Sequence, residues 1–245
     1  MSEASLNSDI SKNLKAVNEA IAKAANESKR RASEITLIAV SKKKPASDVL
    51  EAVAAGQLVF GENYVQEALQ KIDLVTAEIK ASIEQSKVRF DLIGPLQSNK
   101  AKLAVGVFEL IHTVDRPSIA EAISKIAVTK NIVQKVLIQV NISGEETKSG
   151  IKVDEVFDFA SSVIKLPGIE VRGLMSIGSY FSEDASEQVR MSEFVKMAEL
   201  KTDLENRLSI VLPELSMGMS DDYSLAIRAG ATIVRVGSAI FGARI

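Results

Sequence analysis

One pattern constrains this chain more than any other: short apolar runs alternate with helix-patterned stretches, eight times between Ile35 and Val236. The first run, Ile35–Ser41 (ITLIAVS), is apolar almost without interruption, as a strand covered on both faces must be. Leu58–Phe60, Val88–Ile93, Phe108–Val114, Lys135–Asn141, Val171–Ile177, Leu215–Met219 and Thr232–Val236 repeat the theme. Between them lie helical patterns, such as Val65, Ala68, Leu69, Ile72, Val75 and Ile79 on one face. Alternation at this period implies a parallel sheet, and eight units imply closure into an α/β fold, the (β/α)8 TIM barrel. An open doubly wound sheet is the alternative, but no GxGxxG follows the first strand and no GxxxxGKS/T motif occurs. Ahead of the first strand, Ile10, Leu14, Val17 and Ile21 mark an extra N-terminal helix over about residues 9–31. It is expected to cover one end of a single domain spanning residues 1–245.

Composition removes several kinds of chemistry. A net charge of −2 favours neither nucleic acid nor an acidic membrane surface. Zero cysteines exclude disulfides, thiolate metal sites and cysteine nucleophiles. The single histidine, His112, rules out multi-histidine metal sites and reads as a core or rim residue. No segment has the apolar core of a signal peptide or the length of a membrane span, so a cytoplasmic location is expected.

Barrel sites sit at the C-terminal ends of strands. The candidates there are Lys42, Asn63, His112, Asn141, Ser176, Ser220, Arg235, Gly237 and Ser238. Parity sharpens the choice. If Thr36, Ile38 and Val40 point inward, Lys42 does too, at the mouth. A partly desolvated amine there is a Schiff-base nucleophile, unless the run Lys42-Lys43-Lys44 is a solvated loop. Arg235 lies mid-strand between valines, an expensive position for a guanidinium without an acceptor, and shares its parity with Gly237. The Gly237-Ser238-Ala239 turn offers backbone N–H groups to an anion. Ser220 reads as the cap of the helix before the last strand, with Asp221 and Asp222 in its first turn. An inward lysine, an inward arginine and an anion site together suit a phosphorylated aldehyde-bearing ring such as pyridoxal 5′-phosphate. A structural ion pair for Arg235 is the competing reading.

The chain also resembles the YggS/PROSC family of pyridoxal phosphate homeostasis proteins. The matching blocks are AVSKKKP at Ala39–Pro45, GENYVQEALQK at Gly61–Lys71, LIGPLQSNK at Leu92–Lys100, VNISGEETKSG at Val140–Gly150, GLMSIG at Gly173–Gly178, and Leu215–Arg244. That resemblance implies an internal aldimine at Lys42, phosphate contacts from Ser220, Gly237 and Ser238, Arg235 facing the pyridine nitrogen, and Asn63 lining the cofactor. The family commonly carries histidine where this chain has Asp91, expected to be a local change near the rim.

An arginine stays protonated, so a pyridine nitrogen facing it accepts a hydrogen bond and is a poor electron sink. The resembling barrel of alanine racemase has a similar arginine, together with a β-rich domain bearing a catalytic tyrosine that is not found in this sequence. Tyr64 and Tyr180 follow strands and are expected on the rim. The expected function is therefore a monomeric carrier of pyridoxal phosphate for apo-enzymes, without efficient turnover. A low-activity amino-acid racemase, or a barrel forming a Schiff base with a sugar phosphate, are the alternatives. Lys148, in the longest polar loop, is either a second amine for cofactor transfer or a solvated side chain.

Overall fold

The computed structural model of this chain describes residues 8–81, 87–145, 147–179 and 186–242. Each apolar run becomes a strand: β1 (Thr36–Val40), β2 (Val59–Glu62), β3 (Arg89–Leu92), β4 (Leu110–Val114) and β5 (Gln134–Asn141). After a two-residue strand β6 (Ile151–Lys152) come β7 (Ile169–Ser176), β8 (Glu214–Ser216) and β9 (Ile233–Val236). The order β4-β3-β2-β1-β9-β8-β7-β5, with β4 also paired to β5, closes the sheet into an eight-stranded barrel. These pairings are all parallel, and the register places Ile38 beside Arg235 and Ala39 beside Val236. The short β6, which no sequence signal announced, pairs only with the end of β5, through Val140 and Asn141.

Period-two alternation divides the apolar residues into two cores. Ile38, Ile93, Leu110, Leu137, Met175 and Ile233 fill the barrel, with Val40, Val59 and Ile177 against them. Leu37, Ala39, Phe60, Leu92, Ile111 and Leu174 point outward into the layer shared with the helices. Those helices are α1 (Ser8–Glu27), α2 (Ala46–Ala54), α3 (Val65–Ala81), α4 (Ala101–Ala104), α5 (Pro117–Thr129), α6 (Val156–Ile164), α7 (Glu187–Leu208), α8 (Tyr223–Arg228) and α9 (Ser238–Phe241).

The placement of α1 differs from expectation. It does not close an end of the barrel; it lies in the helical ring, against α2, α8 and α9. The reason is the length of α9, whose four residues are too few to cover the outside of β9 and β1. Ile10, Leu14, Val17 and Ile21 form the buried stripe that fills the gap. Asn13 Nδ2 donates to Ile240 O at 3.0 Å near one end of α1, and Arg30 Nη1 donates to Ala231 O at 2.8 Å just beyond the other. The helix therefore runs antiparallel to the strands, as a helix following β9 would.

Candidate functional site

At the C-terminal mouth of the barrel is a cavity of about 250 Å³, and its lining includes Lys42, Asn63, Ser220, Arg235, Gly237 and Ser238. The six residues that the resemblance assigns to the cofactor are thus brought together, with Ile93, Ile177 and Met219 as apolar wall, while His112, Asn141 and Ser176 are not in the lining. A wider, shallower depression along α7, lined by Glu187, Met191 and Val195 among others, lies away from these groups.

The three consecutive lysines have three different fates. Lys42 continues the inward parity of Ile38 and Val40 and is half-buried in the cavity wall. Lys43 is exposed, with a left-handed φ of 60°. Lys44 also lines the cavity, and its Nζ is tied to Phe241 O at 2.7 Å, joining the β1 loop to α9. The solvated-loop reading therefore holds for Lys43 alone.

Asn63 is held from behind by the end of β3. A Cβ on Gly94 would stand 2.4 Å from Asn63 O, so only glycine permits this approach. Thr113 Oγ1 donates to Gly94 O at 2.8 Å and locks the contact. Asn63 Oδ1 is buried with no protein partner. A polar atom left in that condition at a cavity wall is one a ligand can satisfy.

Ser220 reaches the site by a different route from the one its sequence suggests. Gly218, at φ 89°, ends the β8 segment, and Met219 N–H then donates to Asp222 Oδ1 at 2.6 Å. The cap position of α8 therefore falls on Asp222, not Ser220. Burial pushes the Asp222 carboxyl up, opposed by the Met219 N–H. Freed from capping, the Ser220 Oγ accepts the Gly237 N–H at 3.3 Å, so the two residues form one corner of the cavity. The N–H groups of Ser238 and Ala239 lie in the first turn of α9, where no helical acceptor exists.

Arg235 is almost fully buried. Its Nη1 donates to Ser216 Oγ at 2.6 Å and its Nη2 to Ser176 O at 2.8 Å. Both acceptors are neutral, so the structural ion pair is not what holds it. Burial lowers its pKa to about 10 and Asp222 opposes this, which leaves the guanidinium charged at neutral pH.

Behind Ser216 lies a relay that the sequence did not reveal, although its histidine was among the candidates and is the core residue it read as. His112 Nδ1 is 3.1 Å from Ser216 Oγ, and His112 Nε2 is 3.5 Å from Asp91 Oδ2. Because the Asp91 carboxylate faces Nε2, the imidazole proton belongs on that nitrogen, which leaves Nδ1 to accept from the Ser216 hydroxyl. Burial is the largest influence on His112 and lowers its pKa, keeping it neutral, while Asp91 pulls the other way. Asp91 itself is fully buried inside the barrel and paired with Arg89 at 3.2 Å. This corrects the expectation that Asp91 marks a change near the rim. The signal was available in the parity of Asp91 with Ile93, which faces inward.

Other candidates stand apart from the cavity. Asn141 shapes the β5 loop through its contacts with Glu145 O and Gly144 N–H. Lys148 pairs with Glu145 at 2.5 Å and donates to Gly178 O at 3.1 Å, beside a separate depression that Asn141 shares. Tyr64 is exposed, while Tyr180 lies outside the described residues. Among the described residues no cluster suits a metal ion and no helix is long and apolar enough to cross a membrane.

Comparison with known proteins agrees with the motif resemblance. The family model "Alanine racemase, N-terminal domain" matches residues 15–245. The pyridoxal phosphate homeostasis protein of Escherichia coli K12 is 44% identical over 237 residues, covering 96% of this chain and 97% of that protein. PipY of Synechococcus elongatus PCC7942, solved with PLP bound, superimposes with a TM-score of 0.80 at 33% identity, covering 95% of this chain and 100% of PipY. Alanine racemase of Clostridium difficile 630 shares the barrel alone, with a TM-score of 0.68 at 14% identity, covering 97% of this chain and 57% of the racemase. Motifs, barrel and relatives converge: the chain belongs to the alanine racemase N-terminal-domain family, and within it to the pyridoxal phosphate homeostasis proteins.

Proposed function

We propose that this protein binds pyridoxal phosphate in the mouth cavity and releases it to apo-enzymes, with Lys42 as anchor and without efficient amino-acid turnover. One observation carries the reading: Lys42 and Arg235 line the same cavity as the Ser220, Gly237 and Ser238 corner. The donors fit the group. The amine would meet an aldehyde, the guanidinium a ring nitrogen, and the hydroxyl and backbone N–H groups a phosphate, while Asn63 Oδ1 adds a buried acceptor without a protein partner. The bound group supplies an aldehyde that condenses reversibly with a primary amine and releases water.

The chain's own residues do the rest. Ser220 Oγ and the N–H groups at the start of α9 hold and orient the phosphate. Ile93, Ile177 and Met219 exclude water from one wall. Arg235, held by Ser216 and Ser176, keeps its protons, so a ring nitrogen facing it would stay unprotonated, which would disfavour carbanion chemistry. We place the carrier in the cytosol as a single-domain monomer, sharing a compartment with its recipients; size-exclusion chromatography checks the oligomeric state.

Borohydride reduction after adding pyridoxal phosphate, followed by peptide mapping, tests the anchor. Label on Lys42 is expected, and label confined to any other lysine overturns the assignment. The alanine racemase barrel favours one competing reading, a slow racemase. Incubation with L-alanine separates the two, since ready formation of D-alanine sinks the carrier reading. If no visible band follows addition of pyridoxal phosphate, a sugar-phosphate Schiff base takes its place.

A further inference from the structure

The GENYVQEALQK block holds more than Asn63. Glu62 ends β2, and Glu67 and Lys71 lie one helical turn apart on α3. Glu62 is fully buried and Lys71 nearly so, on the outer side of the barrel wall, away from the cavity. Lys71 Nζ donates to Glu62 Oε1 at 2.7 Å, to Glu67 Oε1 at 3.2 Å and to Ser41 O at 2.6 Å. Ser41 Oγ donates to the same Glu62 oxygen at 2.6 Å. Glu67 Oε1 also accepts the Lys43 N–H at 2.6 Å.

Ser41 O and Lys43 N–H belong to the two peptide units that flank Lys42. Fixing both planes fixes the backbone of the residue between them, and with it the direction of its Cα–Cβ bond. Lys43 also sits at φ 60°, a conformation non-glycine residues hold only when their surroundings impose it. A buried ion cluster is a poor way to gain stability, because desolvation offsets the Coulomb attraction. Burial indeed raises the Glu62 carboxyl pKa against the pull of Lys71 and Ser41, and its Oε2 has no partner. Something other than stability accounts for so costly a cluster beside this one lysine.

We propose that Glu62, Lys71 and Glu67 are positioning residues for Lys42, a clamp that grips the backbone on both sides and aims the amine into the cavity. This rests on Lys42 being the anchor, so the test must let the two ideas fail separately. Glu67→Ala is the chosen variant, because its side chain is partly exposed and its loss leaves the Glu62–Lys71 pair intact. Glu67→Gln keeps an acceptor for the Lys43 N–H and serves as rescue.

Three readouts are compared: the rate of borohydride-trapped pyridoxal phosphate labelling, the affinity for 4-deoxypyridoxine 5′-phosphate (which lacks the aldehyde), and amide exchange at Lys43 in ligand-free protein. Glu67→Ala should slow trapping about tenfold, as misplacement of a reacting group does. It should leave the aldehyde-free probe unchanged and speed Lys43 exchange, and Glu67→Gln should restore most of the rate. Unchanged trapping in Glu67→Ala overturns the clamp, and so does equal loss of both ligands, which marks a merely structural cluster. Lys42→Ala that still traps label at full rate removes the anchor instead.

Discussion

Lys42 and Arg235, the two cations given a role in the proposed site, are secured in opposite ways. On the β1 side, the contacts behind Lys42 grip backbone: Ser41 O and Lys43 N–H are tied to a charged cluster outside the barrel. On the β8–β9 side, the contacts behind Arg235 grip the side chain itself, through Ser216 Oγ and Ser176 O inside the barrel. The difference follows from the work proposed for each group. A lysine that must form and break a bond needs a fixed root and a mobile tip. An arginine that must stay charged at one spot needs its planar fork held directly. On the proposed roles, rigidity in this site is applied to the atoms that do not react.

The largest expected effect strikes the mobile tip. Lys42→Ala should abolish borohydride-trapped labelling, a loss of at least about a hundredfold, because Lys44, the other amine lining the cavity among the described residues, is held on Phe241 O. Binding of the aldehyde-free analogue should survive. If Lys44, which also lines the cavity, takes over the label at a comparable rate, then Lys42 is not specially placed. Next comes the fixed fork. Arg235→Lys keeps the charge but cannot satisfy Ser216 and Ser176 together, so stability should fall by about 1–3 kcal/mol. Thermal or urea unfolding of the ligand-free protein measures this, and an unchanged midpoint would show that the two hydrogen bonds fix nothing.

How much of this contrast was legible in the sequence depends on the range of the interaction. Strand parity is local, and it placed Lys42, Arg235 and Gly237 at the mouth. The same rule, carried one strand further, puts Asp91 inside with Ile93, but the block match drew attention to the rim instead. Ser220 was placed at the mouth for an incomplete reason. It does not cap α8, and its bond to Gly237 depends on a turn at Gly218 that only the folded backbone shows. The clamp was illegible for a different cause: Glu62 and Lys71 meet only once α3 packs against the barrel, and an acidic–basic i,i+4 pair on a helix commonly faces solvent. Position in the ring was likewise hidden for α1, because its stripe specifies burial and not the surface that buries it.

A smaller effect tests whether the relay behind Arg235 matters beyond its first atom. Ser216→Ala removes one acceptor of the guanidinium and its link to His112, while Ser176 O remains. One hydrogen bond to a charged group contributes about 1.5–3 kcal/mol, and the second contact should hold most of the geometry. Affinity for pyridoxal phosphate should fall about fivefold, measured by titrating its absorption, against about tenfold for the trapping rate in Glu67→Ala. A larger loss in Ser216→Ala would reverse the ranking and make the interior side the more fragile one.

The smallest effect is a pH slope, and it belongs to His112 alone among imidazoles. Burial holds its folded pKa below the ordinary 6.5, with Asp91 pulling upward and Arg235 and Arg89 pushing downward. Below that pH the unfolded chain binds a proton that the folded barrel refuses, so stability falls as pH falls from 6.5 towards the folded value. The slope is at most about 1.4 kcal/mol per pH unit, and it vanishes above 6.5, where neither state is protonated. Burial raises the Glu62 and Asp222 pKa values, so both contribute a slope of opposite sign at lower pH. The comparison must therefore be made with His112→Gln, whose profile should be flatter below pH 6.5, by at most about that amount, whatever its absolute stability. The imidazole proton resonances of the ligand-free protein give the same answer directly. Titration at or above 6.5 would mean that Asp91 outweighs burial, and the chain from Asp91 to Arg235 would then carry a second positive charge instead of a neutral link.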